Sequence, residues 1–135
     1  EKHPATMTSL LNLAAIAVGG AAGSLCRYGV TVAADAIPGG STLWGTTIVN
    51  VIGCGLLGGI TALESSETEV SEHLMFALRV GFVGSLTTFS TFAGESTVLA
   101  GEGRWAASGI YVLANLVLGW ATLVAVSGWV GGMTD

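Results

Sequence analysis

Four long apolar stretches, separated by short polar punctuation, account for almost the whole chain. The first covers about residues 9–36 and is closed by Asp35, Pro38, Gly39 and Gly40, residue types that stop a helix. The second, at about 43–63, carries no charge. The third, at about 74–100, has Arg79 near its start and Glu95 near its end, and the fourth runs over about 105–130. A helix crosses the hydrocarbon core of a bilayer with roughly 20 mainly apolar residues. Each stretch therefore predicts a transmembrane helix, and the fold class is an all-α membrane protein with no room for a soluble catalytic domain. Trp44, Trp105 and Trp129 fall where an interfacial aromatic belt would place them.

Composition agrees: 51% of the 135 residues are hydrophobic, 10% are charged, and the mean hydropathy is +0.73. The net charge of -5 comes mostly from Glu64, Glu67, Glu69 and Glu72, which read as a solvated acidic loop. Four Lys and Arg in all argue against a nucleic-acid partner and against a polybasic lipid-binding patch. Cys26 and Cys54 stand apart from any His or second Cys, so they are expected to be small packing residues. Residues 1–6 precede Met7, which reads as a native start, and are expected to be an expression remnant or a disordered N-terminus. The apolar run at 10–26 exceeds a signal-peptide core and is taken as a retained helix.

The chain holds 21 glycines, and Gly19 with Gly23, Gly20 with Ser24, Cys54 with Gly58 and Gly55 with Gly59 have the small-xxx-small spacing that brings helix backbones together in lipid. Four spans put Lys2 and Arg79 toward one side and Arg27 and Arg104 toward the other. That balance gives the positive-inside rule nothing to act on. A chain of this kind is expected to insert both ways, and two opposed copies would form an antiparallel dual-topology dimer.

The polar residues inside the spans carry the candidate chemistry. The third span contains Gly84, Ser85, Leu86, Thr87, Thr88, Phe89, Ser90, Thr91 and Phe92, five hydroxyls in nine residues. Either the hydroxyls bond back to carbonyls of their own helix, or the helix is broken there at mid-membrane and exposes carbonyls that hold a cation. Phe89 and Phe92, at i and i+3, share a face; they are a packing pair, or their positive ring edges meet an anion. Thr46, Asn50 and Cys54 form a stripe on the second span, where Asn50 is interhelical glue or a donor to a passing anion. The fourth span repeats the theme with Ser108, Tyr111, Asn115 and Thr122, interrupted by Gly119. Arg27 and Glu95 are the deepest ionisable groups. His3 and His73 lie at polar segment ends, and no nucleophile, metal-ligand or phosphate-binding spacing supports an enzyme.

Three motifs together resemble the Fluc fluoride channels, also called CrcB proteins. They are Gly19-Gly20-Ala21-Ala22-Gly23 with Arg27-Tyr28, Gly45-Thr46-Thr47 with Asn50 and Gly53, and the long run from Gly81 through Phe92. The resemblance covers essentially the whole chain from Met7. It implies a homodimer with two fluoride pores and a structural sodium ion (Na+) held at the interface by the backbone carbonyls of Gly84 and Thr87. Phe89 and Phe92 would line the pores, Asn50 would meet fluoride, and Ser90, Thr91 and Tyr111 would add pore-side hydroxyls. Glu95 matches the acid that follows the motif in the family, and Arg27 matches the first-helix arginine nearer a pore mouth. Ser85 stands where Gly is common, and Asn115 and Gly119 where serines are expected. Some members are heterodimers of two related chains.

The function implied is passive export of fluoride across the cell membrane, relieving fluoride toxicity. A fluoride pore must replace water donors with hydroxyl, amide and ring-edge donors. Two rivals stand beside it. A small multidrug exporter would carry a Glu inside its first helix, whereas this first span has no carboxylate before Asp35. A non-transporting helix-packing subunit would not need the polar run at 85–91.

Overall fold

The computed structural model describes residues 4–65 and 69–134; residues 1–3 of the N-terminal hexapeptide and Glu67 of the acidic loop lie outside the described residues. The chain forms α1 (Pro4–Ala36), α2 (Thr42–Ser65), α3 (Glu72–Met75), a π-helical segment (Phe76–Val83), α4 (Gly84–Leu86), α5 (Phe89–Gly101) and α6 (Trp105–Thr134). Four stretches are long and apolar enough to cross a membrane: Ser9–Ala36, Thr42–Ser65, Glu72–Gly101 and Trp105–Met133. The four-span, all-helical expectation holds.

Packing follows the small residues. The second span lies most extensively against the fourth, and α1 lies against the π segment and α4. A Cβ at Gly19 would strike the carbonyl oxygen of Ala77, one at Gly23 that of Phe82, and one at Gly58 that of Leu123. These backbones touch because no side chain intervenes, the contact that drives helix association in lipid. The predicted pairs thus sit on real interfaces, with Gly55 against Thr122 as well.

The third span departs from one uninterrupted α-helix in two places. Eight residues directly before the polar run are π-helical, a form that is rare and concentrated at functional sites. Thr87 (φ -79°, ψ 154°) and Thr88 (φ -149°, ψ 116°) are then extended, between α4 and α5. The extended pair lies near the middle of the 30-residue span. A left-handed glycine, Gly103 (φ 76°), ends α5. The Gly103 N–H donates to Ala100 O and the Arg104 N–H to Leu99 O, each at 3.0 Å, a Schellman arrangement that starts α6 at once.

At the acidic end Glu64 and Glu72 make contacts that remain exposed to solvent. Arg79 pairs with Glu64 at 2.8 Å, and Asn12 of α1 donates to Glu72 at 3.1 Å while bonding the His73 ring. Cys54 is half-buried, but Cys26 faces outward and packs no interior, contrary to the expectation from its apolar neighbours. Apolarity in a membrane helix marks the lipid face as readily as the core.

Candidate functional site

The site is built around the two extended residues. In a continuous helix the Thr88 N–H would bond the Gly84 carbonyl, and the Thr91 N–H the Thr87 carbonyl. Here the Thr88 N–H donates to Asn50 Oδ1 at 2.8 Å, and Asn50 Nδ2 donates back to Thr88 O at 3.3 Å. Asn50 thus binds both backbone groups of one extended residue, as a neighbouring strand would. This satisfies a strand-like residue where no water is at hand. The Thr91 N–H donates to Thr88 Oγ1 at 3.2 Å, so Thr88 caps α5 and orients its N-terminus. The helix donors of Gly84 and Thr87 are therefore both engaged elsewhere.

The hydroxyls divide between the two readings. Thr87 bonds back to Val83 O at 3.0 Å, the ordinary helix habit. Thr88 does not; it donates to Thr91 Oγ1 at 3.0 Å, with Ser90 Oγ 3.5 Å away. Ser90 and Thr91 are exposed on the single chain.

From Asn50 a polar chain continues into the fourth span. Asn50 Nδ2 donates to Asn115 Oδ1 at 3.0 Å, and Asn115 Nδ2 donates to Thr47 Oγ1 at 3.1 Å and to Tyr111 O at 3.0 Å. An aromatic row runs beside it. Phe89 and Phe92 meet edge-on at 5.5 Å, and Phe92 meets Tyr111 at 5.6 Å. The Tyr111 hydroxyl donates to Glu95 Oε2 at 2.6 Å. Phe92 and Tyr111 are buried, whereas Phe89 is 76% exposed.

A cavity of about 260 Å³ has Asn50, Thr87, Thr88, Phe89, Phe92 and Asn115 in its wall. Two more, of about 450 and 430 Å³, share Ser41, Leu43 and Arg104; one reaches Glu95, the other Tyr111 and Thr47. In the first of these, amide, hydroxyl and ring-edge groups converge without a fixed positive charge, a set suited to holding a small anion without trapping it.

The structure brings Asn50, Phe89 and Phe92 into one cavity wall and Tyr111 onto Glu95, with Gly84 and Thr87 at the break, while Ser90 and Thr91 are exposed and line no described cavity. Arg27 is not among them. It is half-buried on α1, its guanidinium without a hydrogen-bond partner among the described residues. Ser108 donates to Ser96 O at 2.8 Å and acts as glue between α5 and α6. Thr47 and Thr88 were missed as site residues. The signal for Thr88 was its place in the centre of the run; Thr47 sits one residue off the Thr46 stripe, and only its place in the second motif singled it out.

Four apolar spans, one interrupted beside a half-buried amide and an aromatic row, define a small polytopic membrane protein. Residues 14–133 match the family model described as CrcB-like protein, Camphor Resistance (CrcB). The chain is 44% identical over 117 residues to a protein of Salinibacter ruber named fluoride-specific ion channel FluC, covering 87% of this chain and 86% of that one. A protein of the same name from Rhodopirellula baltica is 39% identical over 144 residues, 91% of this chain and 99% of its own. A third, from Maridesulfovibrio salexigens, is 39% identical over 109 residues, 81% of this chain and 86% of its own. The chain belongs to the CrcB family, and it is a multi-pass protein of the cell membrane.

Proposed function

We propose that this chain is a fluoride-selective channel that lets cytoplasmic fluoride leave the cell passively. The observation that carries the reading is the donor set around the break: the Asn50 amide, the hydroxyls of Ser90 and Thr91, and the edges of Phe89 and Phe92, with the Tyr111 hydroxyl donated to Glu95 beside them. Fluoride sheds tightly held water only where donors replace it, and uncharged donors return the ion quickly. The names of the relatives point to the same ion.

The conducting unit is an antiparallel homodimer. Its support lies in what one chain leaves uncovered near the middle of a span: the Phe89 ring, the Ser90 and Thr91 hydroxyls and Gly84. Hydroxyls at that depth need a protein or water neighbour. The balance of Arg27 and Arg104 against Lys2 and Arg79 favours insertion in both orientations.

A sodium ion at the centre of that dimer would be held by the carbonyls of Gly84 and Thr87 from each copy. The fit rests on the diverted helix donors, which leave oxygens of the hard, neutral kind such a cation takes. When bound, the ion supplies structural positive charge near the anion route. The chain's own part is to keep those carbonyls turned out, through Asn50 on Thr88 and Thr88 on Thr91.

The test is efflux from liposomes reconstituted with purified protein and loaded with fluoride or chloride. Fluoride is expected to leave far faster than from protein-free liposomes while chloride stays. Fluoride loss at the protein-free rate would sink the proposal, and equal chloride loss would sink its selectivity.

A further inference from the structure

The buried amide of Asn115 is bound on every side, and its neighbours fix which atom is which. Its Nδ2 faces the Tyr111 carbonyl, which only accepts, so its Oδ1 must be the atom turned to Asn50. Asn50 is fixed independently: the Thr88 N–H can only donate, so Asn50 Oδ1 faces it and Nδ2 faces both Thr88 O and Asn115 Oδ1. Both N–H bonds of Asn50 are thus engaged, at 3.3 and 3.0 Å, in the cavity it shares with Phe89 and Phe92. An anion that reaches this amide must displace one of those two acceptors. Thr88 O is backbone, held by the extended geometry of the break. Asn115 Oδ1 is a side-chain atom, and Asn115 keeps its bonds to Thr47 and Tyr111 if it lets go.

Resting on the fluoride reading, we propose that Asn115 is a positioning residue that holds the Asn50 amide toward the route and competes with the anion for one of its hydrogens. The competition weakens fluoride binding at Asn50 and so speeds its release. Thr47, which accepts from Asn115 Nδ2, fixes the rotation of the competing amide.

Fluoride efflux measured against internal fluoride concentration separates this role from a structural one. In Asn115→Ala and Asn115→Ser the acceptor no longer reaches Asn50. The half-saturating fluoride concentration is expected to fall about fivefold, the worth of one neutral hydrogen bond, while the saturated rate does not rise. A structural role would reduce the number of active channels and leave half-saturation where it was. An unchanged or raised half-saturating concentration in both variants overturns the proposal. If neither variant folds, the wild-type protein decides by NMR of its side-chain amides: fluoride titration is expected to shift the Asn50 and Asn115 signals together. An Asn50 shift without an Asn115 shift overturns it. Wild-type efflux no faster than from empty liposomes is a distinct result, which removes the fluoride reading and this inference with it.

Discussion

Asn50→Asp changes one atom and reverses the electrostatics of the site. The carboxylate keeps the acceptor that holds the Thr88 N–H at 2.8 Å, so the backbone of the break has no reason to move. It loses the donor to Asn115 Oδ1 at 3.0 Å and to Thr88 O at 3.3 Å, leaving oxygen facing oxygen at both. Two neutral hydrogen bonds lost amount to about 2 kcal/mol of stability. The effect on the anion is larger. A unit negative charge ~4 Å from fluoride repels it by about 4 kcal/mol at the effective dielectric of a protein surface. At ~1.4 kcal/mol per tenfold, conduction falls about a thousandfold. In the efflux assay at neutral pH, Asn50→Asp should sit at the protein-free rate while eluting from size exclusion as the wild type does. Fluoride flux within twofold of wild type, from protein shown to be folded, would refute the placement of Asn50 on the route.

Further outcomes follow from the same contacts. Gly23→Ala puts a Cβ onto the Phe82 carbonyl and should destabilise the α1 packing by about 1–3 kcal/mol in detergent unfolding, whereas Gly29→Ala, which has open space, should not. Phe92→Ala should lower single-chain stability by about 3–5 kcal/mol because its ring is buried. Phe89→Ala, on an exposed ring, should act on flux and dimer stability instead; equal losses of chain stability would contradict the packing described. Arg104→Gln should lower fluoride flux about tenfold at low ionic strength and little at high, since Arg104 is the basic group shared by the two cavities that reach Glu95 and Tyr111. Exchanging sodium for a large organic cation should weaken the dimer and stop flux; full flux in sodium-free buffer would remove the cation from the interface.

The spans were legible in the sequence because the bilayer imposes one rule, a long apolar helix, and hydropathy measures it directly. The glycine faces were legible for a related reason: only a missing side chain allows a backbone contact such as Gly23 on Phe82. The composition of the polar run left a break open beside ordinary back-bonding, and the family resemblance favoured the break. Its position and the π segment before it did not show in the pattern, because both depend on where hydrogen bonds go, and Asn50 lies 38 residues from Thr88. Asn115 looked like one member of a stripe on the fourth span. Its importance comes from pairing with Asn50 across 65 residues of sequence, which no local spacing encodes.

The polarity of the break follows from which backbone groups are satisfied within the chain. The Thr87, Thr88 and Thr91 N–H groups are all taken, by Val83 O, Asn50 Oδ1 and Thr88 Oγ1. Among the described residues no other donor replaces the one lost to the carbonyl of Gly84 or of Thr87. In hydrocarbon an unsatisfied polar group costs several kcal/mol, so on the proposed reading the carbonyl side of the break is the side a cation would stabilise. The proposed anion route runs instead past Asn50 and the edges of Phe89 and Phe92, which share one cavity wall. On that reading one interruption would serve two sites of opposite sign. Asn50 belongs to both, since its oxygen keeps the Thr88 N–H from the Gly84 carbonyl while its nitrogen faces the cavity. A single side-chain amide does what neither a carboxylate nor an amine could do there, because the amide carries an acceptor and a donor on one rigid plane.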